Sequence, residues 1–134
     1  KSDVIATRDT HPEEYMSTRE GRHLPVPHCI KGTLGWELHP AIAPALEGCL
    51  VIDKPTFGST ELCDHIVKLA KNEEIEITLV GLCTDICVVS NAMLIKAALP
   101  EIEVSVVADA CAGVTPDTHS AALTTMKMCQ INIV

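Results

Sequence analysis

Large aromatic side chains are nearly missing from this 134-residue sequence, which holds one Trp, one Tyr and one Phe. Tyr15, Trp36 and Phe57 are thus the whole supply for stacking on a flat ligand, and all three fall outside the segments that read as strands or helices. Positive charge is also scarce. Ten Lys and Arg against eighteen Asp and Glu leave a net charge of -8, which repels phosphate backbones and anionic lipid, so neither nucleic acid nor a membrane surface is an expected partner. No apolar run approaches the roughly 20 residues of a bilayer span. The opening KSDVIATRD has neither the apolar core nor the small-residue cleavage site of a signal peptide, and a soluble chain is expected. There is no CxxC pair among the seven cysteines (29, 49, 63, 83, 87, 111 and 129). An odd number so scattered argues against a disulfide framework and against a thiol redox protein, and for a reducing, cytoplasmic setting. Internal repeats and low-complexity segments are absent as well.

What is present is apolar: 47% of residues, against 21% charged, which is the composition of a packed globule of one domain. DVIA (3–6) reads as a short strand delivering TRDTH at its carboxyl end. The next forty residues hold most of the prolines and turn signals and read as a long excursion, a kind of segment that is usually functional in a compact domain. CLVID (49–53) is a strand bounded by Gly48 and Pro55. Ser59 or Thr60 caps a helix with Leu62, Ile66, Leu69 and Ala70 on one face. A strand over 75–82 follows, then a nearly all-apolar helix over about 86–99, a strand over 103–109, a helix opened by Thr115 and Pro116, and a last strand, INIV. Strands alternating with helices imply a parallel sheet covered on both faces, a three-layer, doubly wound α/β fold.

Ligands in such folds collect at the carboxyl ends of the strands, where Asp9, His11, Lys54, the 83–87 segment and Asp109 would lie. Asp109 itself reads as a turn residue. With Thr84 or Asp85 as cap, Cys87 falls in a first helical turn, where unpaired N–H groups and the positive end of the dipole stabilise a thiolate. Cys83, before the helix, gains less. Asp9, His11 and His28 offer carboxylate and imidazole without thiolate, a donor set suited to Zn²⁺, Mn²⁺ or Fe²⁺. Each of these residues also has an ordinary structural reading, as a packing thiol, a turn aspartate or a loop histidine. His39, His65 and His119 carry no motif and read as surface or interface residues.

Taken in order, TRDTHP, PHCIKGT, IDKPTFGS, VGLCTDICV and DACAGVTPDTH resemble the nicotinamidase branch of the isochorismatase-like cysteine hydrolases over nearly the whole chain. The resemblance implies one hydrolase domain over 1–134, Cys87 as nucleophile, Lys54 as its cationic partner, and backbone N–H groups of Cys83 and Cys87 as the oxyanion hole. It also implies a cis peptide between Leu82 and Cys83, and a divalent metal held by Asp9, His11, His28 and a fourth ligand, Glu20 or else His23. The implied reaction releases ammonia from a small carboxamide, with nicotinamide the first choice and Tyr15, Trp36 and Phe57 lining the pocket. The apolar helix and the shortage of large core residues point to a homo-oligomer. The family's catalytic Asp lies on a first, central strand with no counterpart here, so a chain beginning about 30 residues earlier is expected. The alternative expectation is a degenerate, non-catalytic homologue that keeps a metal-binding or assembly role.

Overall fold

Residues 3–134 are described by a computed structural model. The protein is α/β, its strands form two parallel sheets, and the chain divides into two units, residues 1–56 and 57–134.

In the first unit, β1 (Ile5–Asp9) pairs in parallel with β2 (Leu50–Lys54), in a register that sets Arg8 opposite Asp53 and Asp9 opposite Lys54. Both strands run further toward their carboxyl ends than their apolar residues alone predict. Opposite charges face each other across the extra rungs, and such cross-strand pairs stabilise a sheet: the Arg8 guanidinium donates to Asp53 from two nitrogens at 2.9 Å. The intervening excursion is less irregular than expected. A 3₁₀ turn (Tyr15–Ser17) leads into a short helix, α1 (Arg19–His23), capped by the Thr18 hydroxyl accepting from the Gly21 N–H at 2.9 Å. A second 3₁₀ turn, Ala43–Leu46, precedes β2.

In the second unit, α2 (Thr60–Ala70) buries Leu62 and Ile66 and is capped by Ser59, as its pattern predicts. The three-stranded sheet runs β3 (Ile77–Leu82), β4 (Val104–Ala112), β5 (Asn132–Ile133). Pairing of β3 with β4 shifts register between Leu79 and Gly81, and Gly81 takes φ +119°, a value that favours glycine. The shift lets β4 continue beyond Asp109, which therefore sits in a strand and not in a turn. A π-helical turn (Thr84–Val88) joins β3 to α3 (Val89–Ala98), so helical structure begins two residues before the expected Ile86. α4 (Pro116–Met128) opens with Pro at its first position and a capping box between Thr115 and Thr118. Val88, Ala92, Ile95, Val104, Val106, Ala122, Met126 and Ile131 form the core of this unit.

Candidate active site and metal cluster

In the first unit, the carboxyl end of β1 hands the chain to His11, whose backbone is laced to the PVPHCIK segment: His11 N–H donates to Cys29 O at 2.9 Å and Lys31 N–H to His11 O at 3.0 Å. That lacing brings His28 beside His11, with ring centroids 4.8 Å apart. Tyr15 forms a wall against both rings, at 4.9 and 5.1 Å, and is 0% exposed. Its hydroxyl donates to Leu24 O at 2.9 Å, as a buried phenol requires. Burial, and then the Glu20 charge, push that hydroxyl's pKa above its ordinary value. α1 approaches closely because Gly21 has no Cβ; one built there would lie 2.0 Å from Tyr15 O.

The ligating atoms of His11, Glu20 and His28 lie within 4.8 Å of one another, the cluster of this kind among the described residues. Glu20 Oε1 stands 3.6 Å from His11 Nε2 and 3.8 Å from His28 Nε2, too far for hydrogen bonds. Donors sharing one ion at 2.0–2.2 Å stand roughly 3.4 Å apart at tetrahedral angles, so these gaps suit a common cation. His11 Nε2 is buried without a hydrogen-bond partner, a costly state for a polar atom unless something else fills the role. The His28 Nδ1–H donates to Val26 O at 2.8 Å, which leaves Nε2 as the lone-pair nitrogen facing the cluster. The donor set therefore fits a divalent metal.

Asp9, the other expected ligand, lies two residues before His11 in the chain, and His23 is the alternative to Glu20. Asp9 accepts a hydrogen bond from the Lys54 ammonium, which also donates to Thr56 O at 3.2 Å. Lys54 is 3% exposed, and a buried ammonium demands such partners. His23 is turned outward, with Nδ1 bonded to Arg19 O at 2.9 Å. Of the three aromatics, Tyr15 serves the cluster as an enclosed wall and offers no face to a substrate. Trp36 donates from Nε1 to Thr10 Oγ1 at 2.8 Å, and the Arg8 guanidinium covers its ring at 3.6 Å. Phe57, in the second unit, is 47% exposed.

In the second unit, β3 ends at Leu82, the Leu82–Cys83 peptide is cis, and Cys83 caps the π turn with its backbone alone. Cys83 O accepts from Ile86 N–H at 3.1 Å and Val88 N–H at 3.0 Å. Cys87 is the fourth residue of this turn and 9% exposed. The expected caps, Thr84 and Asp85, do not cap. Their side chains run sideways to distant partners: Thr84 Oγ1 shares a 2.8 Å hydrogen bond with His119 Nδ1, and both Asp85 oxygens accept from Val114 N–H at 3.2 and 3.1 Å. From α3, Asn91 donates to Cys87 O at 2.9 Å and accepts from Ser59 N–H at 2.9 Å. Asn91 has no expectation in the sequence, and His119, expected at the surface or an interface, is half-buried and bonded to Thr84. The available signals were a lone amide in an apolar helix and an imidazole one turn after a cap. Burial, chiefly, pushes the Cys63 and Cys111 thiols above their ordinary pKa.

Parallel α/β units that carry a cysteine on a cis-linked strand-to-helix turn and a His–Glu–His donor cluster define a restricted class of protein. The isochorismatase domain model matches residues 1–134, and the chain belongs to that family. It is 31% identical over 96 residues (67% of this chain, 52% of the other) to an uncharacterised isochorismatase family protein of Bacillus subtilis, so it spans about half of that relative. It is 30% identical over 142 aligned positions (98% of this chain, 75% of the other) to the nicotinamidase/pyrazinamidase of Mycobacterium tuberculosis. The crystal structure of the Pyrococcus horikoshii pyrazinamidase in complex with zinc superposes with a TM-score of 0.75 at 30% identity, covering 99% of this chain and 75% of that one.

Proposed function

We propose that this chain belongs to an amidohydrolase that releases ammonia from a small carboxamide, nicotinamide foremost, through a thioester on Cys87. The observation that carries the reading is the Cys87 turn: a cysteine in the opening turn of a helix, directly after a strand end and a cis peptide, stands at the helix end where the dipole favours negative charge. The 30% identity to a nicotinamidase/pyrazinamidase supports it. In the proposed reaction the Cys87 sulfur attacks the amide carbon and the N–H groups of Cys83 and Cys87 hold the oxyanion. The thiol proton passes through a base to the leaving nitrogen, ammonia departs, and water cleaves the thioester to the acid. Lys54 is the proposed cation of the catalytic set, as the family resemblance assigns it. His11, Glu20 and His28 would hold a divalent ion, zinc before manganese or iron, with Asp9 next to the cluster in sequence. Such an ion supplies Lewis-acid polarisation of a bound donor atom.

The test is ammonia release from nicotinamide and a panel of small amides, by the metal-loaded protein and by Cys87→Ala. Release that disappears on substitution is the expected result. No release from any amide, with metal still bound, would overturn the reading in favour of a metal-binding, non-catalytic homologue.

A further inference from the structure

The π turn that carries Cys87 is a wide helical geometry, seldom seen except as a single turn, and it lacks the side-chain cap that would hold its start. Its anchoring comes from outside. Thr84, 0% exposed, is bonded to His119 on α4, and Asp85, the next residue, is bonded to Val114 in the loop just before that helix. The corner that supplies both anchors is itself stiff. His119 N–H donates to Thr115 O at 2.9 Å within the capped first turn of α4. A Cβ built on Gly113 would stand 2.8 Å from His119 Cβ, so loop and helix are packed together where the imidazole leaves the backbone. Local capping by Thr84 or Asp85 would have cost these long-range bonds, and the chain makes the long-range ones.

We propose that His119 is a positioning residue for the nucleophile: through Thr84 it fixes the π turn, and with it the aim of the Cys87 sulfur and of the backbone N–H groups around it. The proposal rests on the reading of Cys87 as nucleophile. A misplacement of about 1 Å at a reacting centre costs on the order of a hundredfold in rate. A turn released at Thr84 is therefore felt in catalysis before it is felt in substrate affinity.

The experiment compares His119→Ala, His119→Asn, Thr84→Val and Thr84→Ser in the metal-loaded protein. Asn places an amide nitrogen near the position of Nδ1 and can keep the bond to Thr84; Ser keeps the hydroxyl. Three quantities are read: kcat and KM for ammonia release, the rate at which iodoacetamide alkylates Cys87 as resolved by peptide mass spectrometry, and Tm. Cys129, which is exposed, serves as the internal alkylation control. The expected result for His119→Ala and Thr84→Val is a fall in kcat of about tenfold to a hundredfold, with KM within about twofold. Cys87 alkylation should change while Cys129 alkylation does not, and His119→Asn and Thr84→Ser should recover most of the loss. Wild-type kcat and Cys87 alkylation in His119→Ala would overturn the proposal, as would losses that follow Tm alone and are not restored by Asn. If the parent protein releases no ammonia from any amide, the proposed function fails, and the alkylation arm still decides whether His119 positions the thiol.

Discussion

Replacing Asn91 by Ala removes the amide that ties the Cys87 turn to the entrance of α2. Asn91 is buried, accepts from Ser59 N–H at 2.9 Å, and donates to Cys87 O at 2.9 Å and more weakly to Phe57 O at 3.4 Å. Truncation takes the side-chain acceptor from the buried Ser59 N–H and one side-chain donor from Cys87 O. A buried donor left without its acceptor costs about 1–3 kcal/mol, a lost hydrogen bond about 1 kcal/mol, and the 3.4 Å contact adds little. The amide's own desolvation no longer has to be met, which offsets part of the sum, and the expected net loss is about 2 kcal/mol. That is roughly thirtyfold in the ratio of folded to unfolded protein, a large share of an ordinary domain's stability. With a urea m-value of about 1.5–2 kcal/mol per M, the unfolding midpoint should fall by about 1–1.3 M at unchanged m. Hydrogen exchange at the Ser59 amide should accelerate with it. Asn91→Asp keeps an acceptor for Ser59 N–H but turns a carboxylate toward two carbonyls, so it should not rescue. A midpoint within about 0.5 M of the parent for Asn91→Ala would refute the reasoning, because the two bonds would then carry no net stability.

Metal content, measured by mass spectrometry after zinc loading and desalting, should drop to background in His11→Ala and His28→Ala, fall in Glu20→Ala, and persist in His23→Ala. Zinc at a hundred times its dissociation constant should stabilise the parent by about 2.7 kcal/mol, read as a rise in Tm that a chelator reverses. The Asp85 carboxyl is held below its ordinary value of 3.8 by the Thr118 hydroxyl first and then by the Val114 N–H, with burial opposing. A lowered folded-state pKa gives stability that is present above the ordinary value and lost as pH falls through the folded one. Urea unfolding between about pH 6 and pH 2.5 should show that acid-side loss in the parent and a flatter limb in Asp85→Asn.

Local chemistry was legible from the chain alone wherever its partners are near in sequence. Thr115 and Pro116 start α4 because a cap and a missing N–H act within one turn. α2 begins at its Ser59 cap for the same reason. The segment around Cys87 could be recognised because strand, turn and helix are contiguous, and Asp9 and His11 because they flank one strand end. The strands were legible as apolar runs, but β1, β2 and β4 continue past the ends those runs predict. Arg8 opposite Asp53 and Asp9 opposite Lys54 extend β1 and β2 through polar residues, and that register comes from pairing across 45 positions of sequence.

Tertiary structure decided the rest. Glu20 and His23 lie in the same short helix, and only the packing of Gly21 against Tyr15, with His28 brought back beside His11, turns Glu20 toward the imidazoles and leaves His23 outward. Thr84 and Asp85 have the side chains of helix caps, yet partners 35 and 29 residues away take them. The sequence by itself determined which residues could do chemistry and which segments could fold locally, because propensity and capping are short-range. Which donors share a space was decided only by tertiary structure, because a buried hydrogen bond to a distant group can outweigh a cap worth about 1 kcal/mol.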